Sequence, residues 1–500
     1  MIDRTLRRLA GLVPWALLAA CSPSSDAPAG SSPAAGAAAS GATEPGAPTA
    51  TPPRPNGAAP SGLKVVVVGI DGATWVVMDP LLAGGELPAF AGLIERGTRA
   101  PLESQKPILS PCVWTTIATG RHREDHGIVR FRSTHSTVEK PKLMATTDRT
   151  APALWNMVTS YGVGVGVIGW WVTWPAEAVE GYVVSDRVAY SRWSSWTDGS
   201  KNTRLTHPEE LIEKLKDLVV DPVKAPPSEE LFALADFTDK EREAILAADH
   251  PIPFHAPSVF KFGYCEQRTY ERIGTELLSR SQPSLSLLFL VAVDPISHTY
   301  WHLFRPSEFQ GHVDPDEARR VGKIVPAIYR HDDAYLAGLL PKFDANTVVI
   351  VVSDHGFKAS GKLPGLTTEV DYNAVGIART EELDDPVNVG QSGVHDLDGI
   401  FIAAGGPILK GAALKEKATV LDVAPTVLAL LGLPVAKNMP GRVLSELIDP
   451  AFLARYPVTF IDAYEDRCKP TMFDAPAEFD DAGRTELLNS LGYTDVGGGK

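Results

Sequence analysis

Cysteine is scarce in this chain. Four occur in 500 residues, at positions 21, 112, 265 and 468, and no two share the Cys-x-x-Cys spacing of a zinc knuckle or redox motif. A cysteine-built metal framework is therefore excluded. The three beyond Cys21 allow at most one disulfide and one free thiol. Basic charge is also short: 47 Lys and Arg stand against 61 Asp and Glu, a net charge of −14. That balance excludes general nucleic-acid binding, which needs basic surface to displace counterions. The apolar stretch at the amino terminus, Leu9 to Ala20, has 12 residues, too few to span a bilayer comfortably. What remains, 44% hydrophobic and 22% charged residues, is the composition of a soluble globular protein.

The informative residues stand at the ends of apolar runs. In Thr347-Val-Val-Ile-Val-Val-Ser-Asp-His-Gly356, five apolar, mostly β-branched residues are followed by Asp354, His355 and Gly356. The run predicts a strand buried on both faces. Ligands in open α/β sheets sit beyond the carboxyl ends of such strands. Taken alone, the tetrapeptide is more often a polar turn than a metal site. The pattern recurs, however. Lys64–Ile70 ends on Asp71-Gly72, and Leu285–Val293 ends on Asp294 with His298 four residues on. Carboxylates gathered at one sheet edge repel each other, so a cation is the economical explanation. Asp and His together are ligands for a hard or borderline divalent metal. The fold class expected is α/β, a central and mostly parallel sheet flanked by helices.

In chain order, residues 1–21 have the form of an export signal, with Arg4, Arg7 and Arg8 before the apolar core. The segment ends Leu18-Ala-Ala-Cys21 and resembles the bacterial lipoprotein lipobox, which implies lipidation of Cys21 and anchoring to a membrane surface of the cell envelope, periplasm-facing or outermost. A plain cleaved signal is the alternative. Residues 22–62, almost entirely Ser, Pro, Ala, Gly and Thr, predict a flexible tether. A catalytic domain is expected over 63–465, with an insertion or cap within 187–283 and a tail over 466–500 that carries a short helix. Helices are expected at 87–97, 151–161, 316–342 and 422–432, and strands at 163–168 and 400–404, with 357–394 irregular.

Within that domain, Ser110 stands directly before Pro111, so it is expected to cap a helix near the positive end of its dipole. It is either a capping serine only, or a nucleophile whose target phosphate is drawn to the helix start. Five of the ten tryptophans fall between 170 and 196. They are either core packing or a substrate wall, for which Trp114, Trp171 and Trp174 are the candidates.

Together Asp71-Gly72, the segment Ser110 to Ile128, Asp294 with His298, Ser353-Asp-His-Gly356, Gly393 with His395, and Asp422 to Gly432 resemble the alkaline phosphatase superfamily, in particular its type I phosphodiesterase/nucleotide pyrophosphatase branch and bacterial relatives. The resemblance covers roughly residues 63–447. It implies two divalent metal ions, usually zinc, with manganese or another ion possible. One is implied on Asp71, Ser110, Asp354 and His355, the other on Asp294, His298 and His395. It implies Ser110 as nucleophile, a covalent phosphoserine and a small phosphate-ester substrate, diesters favoured. Two departures stand out. The branch has Thr-x-Pro-Asn, whereas here Val113 takes the Asn position and the proline moves to Pro111. Thr115 and Thr116 stay as alternative nucleophiles. Sulfatases share the fold, but neither Ser110 nor Cys112 has the Cys/Ser-x-Pro-x-Arg context of their nucleophile. A phosphotransferase acting on envelope lipid or glycan would use the same residues, and an inactive binding lipoprotein is the remaining alternative.

Overall fold

Alternation of side chains along unbroken β-branched runs makes both faces of a strand apolar, and such strands are stable only inside a sheet covered on both sides. The computed structural model describes residues 57–133, 142–192, 202–251, 255–361, 363, 391–468, 477–479, 481, 484–485 and 488. All belong to one unit, Arg54–Lys500. In it, β1 (Lys64–Ile70), β2 (Gly97–Glu103), β3 (Val165–Ile168), β4 (Gly181–Val184), β5 (Thr206–His207), β6 (Leu285–Leu290) and β7 (Thr347–Val352) join two later strands. A short hairpin-like pair, β8 (Gly356–Ala359) and β9 (Gly393–Asp396), stands apart as its own two-stranded sheet. The later strands of the main sheet are β10 (Asp398–Ala404) and β11 (Ala418–Thr419).

The nine-stranded order is β11-β2-β10-β7-β1-β6-β3-β4-β5. β1 lies between β6 and β7, parallel to both, and β10 runs antiparallel between β7 and β2. This is the mostly parallel α/β sheet that the apolar runs predict. Val65 and Val67 pack into one core with the helices Ser110–Thr119 and Val423–Leu431; Val66, Val68 and Ile70 pack into the opposite one with Pro88–Arg96, Ala256–Arg280, Val293–Phe304 and Ile324–Leu339.

The topology decides where the chemistry falls. The carboxyl ends of β1, β6 and β7 share one edge, because the three strands are parallel and in register, with Ile70 opposite Leu290 and Gly69 opposite Val352. β2 also ends there, since Glu103 pairs with Asp398 at the start of β10.

Several boundaries differ from the sequence expectation. The third run stops as a strand at Leu290, and Val293 already begins a helix. Asp294 and His298 therefore lie one turn apart on a helix face. The segment 316–342 is two helices, Pro315–Val321 and Ile324–Leu339, plus a 3-10 turn. The segment expected to be irregular from 357 begins with β8, whose partner β9 lies beyond residue 390. The helix at 151–161 is shorter, Leu154–Thr159. Among the described residues, Cys112, Cys265 and Cys468 form no disulfide.

The carboxyl-terminal tail is anchored by charge. Arg484 donates to Asp186 Oδ2 at 2.6 Å, and Arg187 bridges Asp186 and Asp481 at 2.8 and 2.7 Å. All four side chains are buried. Asp186 also accepts from the amides of Val172, Thr173 and Trp174, and so holds Val172 at a φ of 59°, where a β-branched residue is strained. Removing one partner of a buried ion cluster leaves the rest uncompensated. Arg484→Ala is expected to destabilise the protein by about 3–5 kcal/mol, read as a shift of the urea unfolding midpoint.

Candidate active site

Each side chain of the site comes from an element that ends at the edge just described. Asp71 follows β1, and its amide completes the ladder to Leu290 O at 2.9 Å. Gly72 then turns with φ of +72°. Asp354 and His355 follow β7. Ser353 fastens that turn: its Oγ lies 2.7 Å from both Ala73 O and His355 O, and accepts from Ile400 N at 3.2 Å. One hydroxyl thus ties the ends of β1, β7 and β10. Asp294 and His298 project from one face of Val293–Phe304, and His395 comes from β9.

These residues meet. His355 Nε2 lies 3.5 Å from Asp71 Oδ1, 3.5 Å from Asp354 Oδ2 and 3.7 Å from Asp294 Oδ1. Asp294 Oδ1, His298 Nε2 and His395 Nε2 form a triangle with sides of 3.2, 3.3 and 2.9 Å. Ser110 Oγ is 3.5 Å from Asp71 Oδ1. All seven residues are buried.

The tautomers follow from the second nitrogen of each ring. His298 Nδ1 faces Gly393 O at 2.8 Å, His395 Nδ1 faces Ile108 O at 3.0 Å, and His355 Nδ1 faces Gly356 O at 3.1 Å. A ring nitrogen facing a carbonyl carries the proton of the neutral ring, so in their neutral forms the three imidazoles leave Nε2 lone pairs pointing inward, and a second proton on His395 would lie at Nε2, toward Asp294. The Nε2 atoms of His298 and His395 face each other at 2.9 Å.

The carboxylates are equally unsettled. Burial, then Asp354 and Asp294, push Asp71 well above the usual carboxylate range. Burial pushes Asp354 up to about 7. Burial also opposes charge on Asp294, but His298 and His395 beside it overcome that and hold its carboxyl low. Burial lowers His298, and burial followed by His395 lowers His355 well below the ordinary imidazole value.

Do these residues fit divalent ions? Asp354 Oδ2 and His355 Nε2 are buried without a hydrogen-bond partner, a costly arrangement unless something else satisfies them. Ligand atoms of Asp71, Asp354 and His355 lie within 4.8 Å of one another, as do those of Asp294, His355 and His395. Carboxylate oxygens and neutral imidazoles are the donor set of zinc and similar ions. The residues fit, and His355 stands where the two groups meet.

Other expected residues lie differently. Leu109, not Ser110, is the N-cap; Ser110 is the first helical residue and its hydroxyl caps nothing. Pro111 has no N–H, and the Cys112 and Val113 amides turn back to Leu109 O at 2.9 and 3.0 Å, so the helix start offers an anion chiefly its dipole. Thr115 Oγ1 donates to Pro111 O, and Thr116 Oγ1 meets His126 Nε2 at 3.0 Å; both hydroxyls are engaged within their own surroundings. Val113 is buried in the core.

Of the two readings of the tryptophans, the contacts of these three are those of packing. Trp114 stands edge-on to Trp170 and Phe289, its ring against Gly69, where a Cβ would come within 2.6 Å. Its N–H, without a well-formed hydrogen bond, favours the ionised form of Asp71. Trp171 lies under the Arg484 guanidinium, and Trp174 packs on Phe479 and donates to Thr203 O. Sequence reasoning missed Ser353 as a fastener and Phe357 altogether. Cys21 lies outside the described residues.

A buried set of carboxylates and imidazoles at the carboxyl edge of a mixed α/β sheet defines a metal-binding α/β protein. More narrowly, the chain belongs to the type I phosphodiesterase/nucleotide pyrophosphatase family, whose profile matches residues 65–371. The match takes in every residue of the site except His395. No curated protein sequence matches the chain significantly. Among solved structures, phosphonoacetate hydrolase from Sinorhizobium meliloti 1021, in complex with phosphonoacetate, is 18% identical over 59% of this chain and 57% of its own, with a TM-score of 0.37. The chain thus spans little more than half of that enzyme. Human ectonucleotide pyrophosphatase/phosphodiesterase 5 is 14% identical over 77% of this chain and 99% of its own, with a TM-score of 0.43. The murine protein, inactive and in complex with AMP, is 16% identical over 77% and 100%, with a TM-score of 0.44.

Metal binding to the folded state alone should appear as stability, since a free ion at 100 times its Kd adds about 2.7 kcal/mol. Excess Zn2+ is expected to raise Tm and a chelator to lower it. Asp354→Asn keeps the acceptor that the Gly72 and His355 amides use and removes the charge. It is expected to fold normally and lose most of the response to zinc, as followed by scanning calorimetry.

Proposed function

We propose that this protein is a metal-dependent hydrolase of phosphate esters, diesters favoured, with Ser110 as its nucleophile. The observation that carries this reading is the placement of Ser110 Oγ 3.5 Å from Asp71 within one buried group of three carboxylates and three imidazoles. Asp71, Asp354 and His355 would hold one divalent ion, and Asp294, His298 and His395 the other, with His355 between them. Zinc is the first candidate, and manganese follows. When bound, the ions supply positive charge that favours the ionised serine and the charge developing on the leaving oxygen.

The rest is the work of this chain's residues. Ser110 Oγ attacks phosphorus, forming an O–P bond while the bond to the leaving oxygen breaks. Water then cleaves the serine ester, returning Ser110 and releasing the phosphate monoester. The fixed start of the Ser110 helix, held by Leu109 O, keeps Oγ in place, and the helix dipole favours the anionic group.

The diester preference rests on charge. Burial acts most strongly on Asp71, Asp294 and Asp354; the charges that follow it are one another and the histidines, with no Lys or Arg of the described residues among them. Lys358 pairs with Asp396 at 3.0 Å and Arg121 with Glu465 at 2.9 Å. A monoester dianion asks for more positive charge than a diester monoanion does. Export and lipid anchoring through Cys21 are part of the proposal. Cys21→Ser is expected to move the protein from the membrane fraction to the soluble one, and an unchanged distribution would remove the anchor.

The central test pairs chromogenic phosphodiester, phosphomonoester and sulfate substrates on the full-length chain. Diester hydrolysis that depends on metal and falls by at least about 100-fold in Ser110→Ala is the expected result. Activity retained by Ser110→Ala would move the nucleophile to Thr115 or Thr116. Dominant sulfate turnover would overturn the phosphoryl reading. Transfer to an added alcohol in preference to water would make the protein a phosphotransferase.

A further inference from the structure

Phe357 is buried completely, two residues past His355. Its ring touches all three histidines of the site: His298 at 4.8 Å and 75°, His355 at 5.5 Å and 57°, and His395 at 5.5 Å and 86°, between ring centroids and planes. Trp301, one turn beyond His298 on the same helix, stacks on it at 5.8 Å. Two glycines of the site's own segments seat the ring. A Cβ on Gly72 would fall 2.4 Å from its Cε2, and one on Gly393 would fall 3.1 Å from its Cδ1. Phe357 and His395 are direct cross-strand partners in the β8–β9 pair. The turn after β1, the helix Val293–Phe304, and strands β8 and β9 therefore all bear on one side chain.

This contact answers a mechanical problem. The last torsion of a histidine is soft and broad. The Nδ1 hydrogen bonds to Gly393 O, Ile108 O and Gly356 O restrain each ring at one atom, and the stacking of His355 on His395 at 3.7 Å restrains two of the rings against each other but not all three in common. An aromatic edge or face against the ring removes the remaining freedom, and edge-to-face pairs are worth about 0.5–1.5 kcal/mol each beyond their burial. The same phenyl group also fills the space behind the imidazoles, keeping water off their carbon edges.

We propose that Phe357 is the positioning residue of the metal site, aiming the Nε2 atoms of His298, His355 and His395 before any ion arrives. This rests on the metal-dependent reading of the site above. Phe357 touches no reacting atom and acts through the histidines, so its loss should change the coordination of the ion as well as its affinity.

The test is titration of the full-length chain with Co2+, whose d–d absorption reports coordination geometry independently of turnover. Wild type, Asp354→Asn, Phe357→Ala and Phe357→Leu are compared, each first freed of metal. The expected result is a cobalt spectrum in wild type, weakened in Asp354→Asn, with affinity down about 10-fold or more in Phe357→Ala and a shifted or broadened band. Phe357→Leu, which keeps bulk but not the flat ring, should fold as wild type and show the same change to a smaller degree. If Phe357→Ala fails to fold, the leucine variant decides. Wild-type affinity and band shape in Phe357→Leu and in any folded Phe357→Ala would overturn the positioning role and leave the metal site standing. Absence of a cobalt spectrum in wild type would overturn the metal reading, and the role of Phe357 with it.

Discussion

Three carboxylates buried together at one sheet edge are the constraint on which the site's construction depends. In a low-dielectric interior, Asp71, Asp294 and Asp354 cannot all remain ionised side by side without a compensating charge. The protein supplies some of it through His395, which burial disfavours but the bond to Asp294 drives back toward the imidazolium. That relief is partial. Asp71 and Asp354 still sit above their ordinary range, and Asp354 Oδ2 and His355 Nε2 are left unpaired. Stability elsewhere has to carry this local cost, and the two apolar cores on either face of the sheet are where it is found.

Parallel topology is what makes the constraint possible. An antiparallel neighbour to β1 would send its carboxyl end to the opposite edge. With β6 and β7 both parallel to β1, each strand delivers its acidic residue to the same place. The antiparallel β10 is used differently. It starts at that edge, so the β9 strand just before it can carry His395 back across the site. Ser353 then locks the ends of β1, β7 and β10 through a single hydroxyl. The short pair β8–β9 is small by itself, and Phe357 gives it a hydrophobic reason to stay closed over the histidines.

How much of this was legible in sequence depends on how local each signal is. The strands at 64–70 and 347–352 were plain, because a β-branched run needs no partner to be recognised. The acidic residue after each run followed from the same stretch. Asp294 and His298 were visible as a pair, yet the run through Val293 hid the switch from strand to helix, since apolar residues suit both. Ser110 was expected to cap because Pro111 follows it; in the structure the extended backbone falls one residue earlier, at Leu109. Phe357 gave no signal at all. Its role arises from β8 pairing with β9 across more than thirty residues, and from two glycines distant in sequence. The tail cluster of Arg484 and Asp481 is equally non-local, as its partners lie near residue 186.

The departure at Val113 gains meaning from packing. The family pattern has a polar residue there, and in this chain the position is turned into the core, among the residues that pack on β1. A polar side chain at Val113 would have to leave that packing or be buried without a partner, either of which is costly. Under the proposed function, recognition of the phosphoryl oxygens would therefore not come from a polar side chain at Val113. It would fall to the carboxylates and imidazoles of the site and to the charge they gather. That places a heavier demand on the exact aim of three imidazoles, and a rigid aromatic group shared by all three is a physically direct way to meet it.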